Sequence, residues 1–91
     1  MTYRVDIKER AQVDLYRLWK SEPKAFEKAQ RLIKELEEHP TTGTGHPERL
    51  KGDLQGKWSR RITDKHRLVY EIFETEVVVL VLTAYGHYED K

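Results

Sequence analysis

Polar and apolar residues alternate at the start of the chain, recur at helical spacing through its first half, and alternate again towards its end. Tyr3-Arg-Val-Asp-Ile7 places β-prone residues at every second position and predicts a short first strand. Ala11, Leu15, Leu18 and Trp19 then lie at i, i+4, i+7 and i+8, the stripe of an amphipathic helix over about residues 9–20 with all four turned inward. Ser21-Glu22-Pro23 interrupts it, and proline is at home in a first helical turn. A second helix follows over about residues 23–39, with Phe26, Ala29, Ile33 and Leu36 inward. Glu35, Glu37 and Glu38 crowd its C-terminal end, where the helix dipole disfavours them, and the pattern offers no role for them. So short a break predicts an αα-hairpin that lays both stripes on one sheet face.

Residues 40–47 read as a loop, with Gly43-x-Gly45 in its middle. No helix and no Gly-Lys-Ser/Thr ending follows, so a phosphate-cradling loop is a weak reading. Glu48-Arg-Leu-Lys51 reads as a short strand or an ordered loop, and residues 52–56 as a turn. Residues 58–70 predict two strands joined at Asp64-Lys65-His66. A turn of odd length keeps residues of equal parity on one face. Ile62, Leu68, Tyr70 and Ile72 then face the core, and Arg61, Thr63 and Arg67 face away. The run at residues 76–85 is apolar on both faces, as in a covered central strand. The whole predicts an α+β domain over residues 1–91: an N-terminal strand, a two-helix hairpin, then a mainly antiparallel sheet of three or four strands with the helices on one face.

Composition adds constraints. Charged residues make up 36% of the chain and hydrophobic residues 37%, so the core of a 91-residue chain has to be thin. There is no cysteine, which removes disulfides and thiolate metal sites. The N-terminus lacks the apolar run of a signal peptide, and the longest apolar run, residues 77–82, is far short of a membrane span. A cytoplasmic location without membrane contact is the expectation. The net charge of +1 hides a block from Arg49 to Arg67 with seven basic residues against two acidic ones, which points to a focused anionic partner.

Paired guanidinium groups on one outward face suit phosphate, because each offers a planar fork of donors. Cutting RNA without a metal requires a base for the 2′-hydroxyl, an acid for the departing 5′ oxygen, and cations around the phosphorane. Glutamate, histidine and arginine are the residue types for those roles, and Glu48, the arginine hairpin and His87-Tyr88 supply them. A solvated, charged sheet face is the competing reading of the same residues.

Residues 45–70 contain Gly-His-Pro-Glu-Arg-Leu, then Gly-Lys-Trp-Ser-Arg-Arg-Ile, then His-Arg-Leu-Val-Tyr, and the chain ends close after a His-Tyr pair. This strongly resembles the YoeB (Txe) branch of the RelE toxin superfamily, over essentially the whole length. The resemblance implies the toxin of a toxin–antitoxin pair, a ribosome-dependent mRNA endonuclease that cuts in the A site with neither cofactor nor metal. It implies Glu48 as general base, His87 as general acid, Arg67 at the transition-state charge, Arg61 and Lys51 on phosphate, and Tyr88 orienting the scissile nucleotide. Lys57 and Arg60 complete the set expected to contact RNA, although parity puts Arg60 with Ile62, where its stem can cover apolar surface. The implied partners are a YefM/Phd-like antitoxin, the ribosome with its mRNA, and a second copy in a homodimer. Gly86 departs from the family's end, which often carries an aromatic residue before His-Tyr, and glycine opens positive φ to the backbone there. Two other functions remain open: a gyrase-binding toxin like the ParE branch, and a toxin that only binds the ribosome. Tyr85, Tyr88 and Trp58 are candidates for stacking on bases, and Trp19 is expected in the core.

Overall fold

A computed structural model describes residues 2–86. The elements are β1 (Arg4–Ile7), α1 (Glu9–Ser21), α2 (Pro23–Leu36), β2 (Glu48–Arg49), a 3-10 turn (Gly52–Leu54), β3 (Lys57–Arg61), β4 (Arg67–Phe73) and β5 (Val78–Thr83). They build a five-stranded sheet in the order β1-β5-β4-β3-β2. β1 runs parallel to β5, which needs a long crossover, and the helix pair provides it. The other pairings are antiparallel. This is the predicted α+β architecture, with the four-strand alternative realised after the helices.

Register sorts the two sheet faces. Leu68 and Tyr70 of β4 pair with Arg60 and Trp58 of β3, and Tyr70 also pairs with Val81 of β5, which faces Ile7 of β1. These residues therefore share a face, and Leu68, Tyr70, Val79 and Val81 on it are buried with Ala11, Leu18, Ala29, Leu32 and Leu36 of the helices. The opposite face carries Lys57, Ser59 and Arg61 beside Glu71, Val69 and Arg67.

The predicted α1 stripe is corrected at one end. Ala11, Asp14 and Leu18 are buried, whereas Trp19 is 53% exposed and stacks on Tyr16 at 5.8 Å. At about 100° per residue, a face centred between Ala11 and Leu18 leaves Trp19 on its margin and brings Asp14 inside. Asp14 is useful there because its Oδ2 accepts the Ala84 backbone N–H at 2.9 Å, satisfying a buried donor just beyond β5. The second helix ends at Leu36, three residues before the expected His39.

Arg60 is the second correction. It was expected among the RNA contacts, yet it is fully buried on the helix side of the sheet. Its Nη1 donates to Glu35 Oε1 at 2.6 Å and to the Thr44 carbonyl at 3.3 Å. Nη2 donates to the carbonyls of His39 and of Thr42, the latter at 2.7 Å, and Nε donates to the Tyr70 phenol at 3.1 Å. That phenol donates onward to the Pro40 carbonyl at 2.8 Å. A guanidinium so completely engaged has no donor left for an external phosphate.

The Gly43-x-Gly45 loop is shaped by this ion pair. A Cβ on Gly43 would lie 2.3 Å from Glu35 Oε1, and one on Gly45 would lie 3.0 Å from the Arg61 carbonyl, with φ positive at both. The glycines let backbone close over buried charge, where side chains would collide.

Burial pushes the Glu35 carboxyl up, but donors from the Thr44 hydroxyl, the Thr44 amide and Arg60 outweigh it, so the group sits below the usual carboxylate range. A carboxylate lowered in the folded state stabilises fully above its unfolded value of about 4.3 and loses that contribution as pH falls through its folded value. Glu35→Gln should therefore flatten the acid limb of a thermal-melt pH series below about pH 4.3. Glu35→Ala should cost about 2 kcal/mol in urea unfolding at neutral pH, less than an enclosed ion pair loses, because the Glu35 side chain is 31% exposed. A variant with an unchanged acid limb would separate Glu35 from acid stability.

Candidate catalytic and RNA-binding face

The face turned away from the helices carries Glu48, Arg61 and Arg67, three of the residues expected to act on RNA. Arg61, the last residue of β3, pairs directly with Arg67, the first of β4, and Ser59 pairs with both Glu48 and Val69. Directly opposed residues share a face and lie about 5 Å apart at Cβ, and diagonal ones about 7–8 Å. Glu48 is thus the diagonal neighbour of Arg61, and Arg61 the direct neighbour of Arg67. A carboxylate and two guanidinium groups form one row across three strands. Glu48 and Arg61 are exposed and Arg67 is half-buried.

Local structure explains each position. The Arg61 amide donates to the Gly45 carbonyl at 2.7 Å, so the loop that closes over the Arg60 ion pair is joined to the strand end that presents Arg61. Three residues later the same loop enters β2 and presents Glu48. Between β3 and β4, the His66 carbonyl accepts the amides of Ile62 and Thr63, and Arg67 Nη1 donates to the Thr63 carbonyl at 2.8 Å. One arm of the Arg67 fork is therefore fixed by its own turn. A register irregularity at Val69/Tyr70 against β5 adds local twist beside the row.

The other expected residues are spread around this row. Lys57, half-buried, follows Ser59 and Arg61 along the same face towards the far end of β3. Lys51 is exposed and immediately precedes the 3-10 turn. His87 and Tyr88 lie outside the described residues. Tyr85 is engaged inside the protein, with its ring 4.4 Å from that of His66 and the Arg17 guanidinium 3.8 Å above it. Trp58 faces the helix side and has Arg49 stacked over it at 5.5 Å. It borders a groove of about 700 Å³ lined also by Lys51, Lys57, Ile72 and Glu74. By register Trp58 and Ile72 are on the opposite side of the sheet from the Glu48–Arg61–Arg67 row, and the groove meets the face of that row through Lys57. Among the described residues no three His, Asp or Glu side chains come together to hold a metal ion, and no helix is long and apolar enough to cross a membrane.

Comparison with known proteins gives the chain its relatives. Residues 8–88 match the family described as "YoeB-like toxin of bacterial type II toxin-antitoxin system". The Toxin YoeB of Escherichia coli K12 is 42% identical over 76 residues, which is 82% of this chain and 88% of that protein. Among solved structures, a "YoeB/ParE toxin from Agrobacterium tumefaciens" superposes with a TM-score of 0.86 at 33% identity, over 93% of this chain and 99% of the other. A YoeB dimer from Staphylococcus aureus gives 0.81 at 28% identity over 97% and 100%, and a YoeB-YefM complex from the same organism gives 0.79 at the same identity and coverage.

Two guanidinium groups directly opposite on neighbouring strands repel, and without an anion between them the pairing costs stability. Arg61→Gln should therefore raise the melting temperature in low salt, by about 0.5 kcal/mol or roughly 2–4 °C. In about 1 M salt the gain should vanish through screening. A melting temperature that falls instead would mean that Arg61 stabilises the sheet.

Proposed function

The chain belongs to the YoeB-like toxins of bacterial type II toxin–antitoxin systems, and from that premise we propose that it is a ribosome-dependent endoribonuclease that cuts mRNA in the A site. The observation that supports this reading best is the row of Glu48, Arg61 and Arg67 on the sheet face free of helices. In the proposed reaction Glu48 takes the proton of a ribose 2′-hydroxyl, and the 2′ oxygen attacks the adjacent phosphorus. The bond from phosphorus to the 5′ oxygen breaks, and His87 delivers a proton to that leaving oxygen. The products are a 2′,3′-cyclic phosphate, open to hydrolysis to a 3′-phosphate, and a 5′-hydroxyl.

Arginine suits the centre of this row. Negative charge grows on the non-bridging oxygens as the phosphorane forms, and a fixed planar fork meets it without reorganising. Arg67, partly anchored by its turn, takes the transition-state role, and Arg61 beside it holds the phosphate. Lys51 and Lys57 contact flanking phosphates, and Tyr88 orients the scissile nucleotide. Glu48 and Arg61 stand exposed, which suits a site completed by the ribosome and its mRNA. The S. aureus toxin is known both as a dimer and in complex with YefM. By the same likeness this chain is proposed to form a homodimer and to be held inactive by a YefM-like antitoxin.

Purified chain added to programmed ribosomes should yield mRNA fragments with 5′-hydroxyl ends mapping to A-site codons. Glu48→Ala should slow cleavage by about 10²–10⁴-fold, the scale of a lost general base. Full cleavage by that variant would remove Glu48 from the mechanism. Inhibited DNA supercoiling with translation untouched would instead assign the chain a gyrase-directed role.

A further inference from the structure

His66 closes the turn ahead of Arg67 and is only 3% exposed, yet it has no place in the reaction proposed above. Both of its ring nitrogens are occupied. Nδ1 accepts the backbone N–H of Gly86 at 2.9 Å, and Nε2 lies 2.8 Å from Glu22 Oε2 at the α1–α2 junction. Because Gly86 can only donate from its amide, Nδ1 has to be bare and the ring proton sits on Nε2, donating to Glu22. The next residue holds the other backbone group of the same glycine: the Arg67 amide donates to the Gly86 carbonyl at 3.0 Å. Gly86 is thus gripped at N–H and C=O by consecutive residues of the reactive hairpin, with φ at +78°, where a side chain would be strained. His87 follows directly in sequence.

We propose that His66 is a positioning residue: as its Nε2–H tautomer, oriented by Glu22, it clamps Gly86 and so fixes, relative to Arg67, the backbone that His87 and Tyr88 follow in sequence. The proposal rests on the ribonuclease reading insofar as those two residues are catalytic. A proton taken up at Nδ1 turns the acceptor into a donor facing the Gly86 N–H, and the clamp opens. The charged groups around the ring are Glu22 on the helix junction, Lys65 with Nζ 3.8 Å from Glu22 Oε1, Arg17 of α1 over the Tyr85 ring that covers His66, and Asp64 in the same turn.

Two side chains divide the functions of the ring. Asparagine at position 66 places an acceptor near the site of Nδ1 and loses Glu22, and glutamine places a donor near the site of Nε2 and loses Gly86. Single-turnover mRNA cleavage on programmed ribosomes should fall about 10²-fold in His66→Ala, the scale of a small misplacement at a reacting centre. His66→Asn should recover roughly tenfold of that loss, about the weight of one hydrogen bond to the tail, and His66→Gln should recover none. By NMR, the Gly86 amide resonance should move in His66→Gln and stay closer to its wild-type position in His66→Asn. Its hydrogen exchange should quicken about tenfold in the Gln variant. Equal recovery by the two variants, or a Gly86 amide indifferent to the ring, would overturn the proposal. If the wild-type chain cut no mRNA, the ribonuclease reading would fall, and the clamp would stand or fall on the Gly86 amide alone.

Discussion

A guanidinium group sealed from water is tolerable only when its donors are met, because the cost of burying an unpaired charge exceeds what a small core can offset. Arg60 meets that condition by drawing acceptors from four places: the end of α2, the segment after it, the glycine loop, and the phenol of Tyr70 on β4. The requirement extends through the molecule. The chain between α2 and β2 runs for more than ten residues without regular structure, a length at which loops are usually mobile or functional. Here three of its carbonyls face the charge, and Gly43 and Gly45 let it lie close enough to do so. The loop becomes a strap with a defined end, and Glu48 stands at that end.

The opposite side of the reactive row is held in a related way. His66 and Arg67 grip the Gly86 peptide, and Glu22 ties His66 to the helix junction. The Glu22 carboxyl is held below its usual range chiefly by the hydrogen bond from His66, with the nearby Lys65 charge adding to it against opposing desolvation. The Glu48 loop and Gly86, the residue before His87, are thus both held by polar contacts made by the β3–β4 hairpin. In a core built from alanines, leucines and valines between two short helices and a sheet, such contacts supply direction that non-directional apolar packing cannot.

What was legible in the sequence is what local periodicity encodes. Alternation located β1 and the hairpin, and parity placed Arg61 and Arg67 together and away from Leu68 and Tyr70, as the register bears out. What was not legible depends on partners distant in sequence. The acidic cluster at the end of α2 had no visible role, because the partner of Glu35 lies 25 residues further on. The dipole penalty at that helix end is offset by a guanidinium that periodicity marked only as lying on the core side. Trp19 misled for a related reason. A stripe of apolar residues does not announce that an aspartate will displace its outermost member, and Asp14 is drawn inward by an orphan amide after β5. The register sets Glu48, Arg61 and Arg67 beside one another, whereas Arg60, listed with the expected RNA contacts, follows the parity that put it with Ile62, and a motif written as consecutive letters cannot assign those letters to opposite faces.

Arg60 and Arg61 are adjacent and chemically identical, and strand geometry gives them opposite fates. Slipping β3 by one residue would turn every side chain to the other face. Apolar burial alone guards weakly against that slip, because β3 reads Lys-Trp-Ser-Arg-Arg and offers one large apolar residue. The buried ion pair guards against it far better. The observed register brings the Arg60 guanidinium to Glu35, Tyr70 and the strap carbonyls; a slip that set Ser59 there would leave those acceptors unpaired, and one that set Arg61 there would turn Trp58 and Ile62 away from the core. A buried charge pair is poor at adding net stability but well suited to choosing between nearly equal arrangements. Fixing Arg60 inward fixes Arg61 outward, opposite Arg67 and diagonal to Glu48. The row proposed to face phosphate is thereby set by a charge that stays on the other side of the sheet.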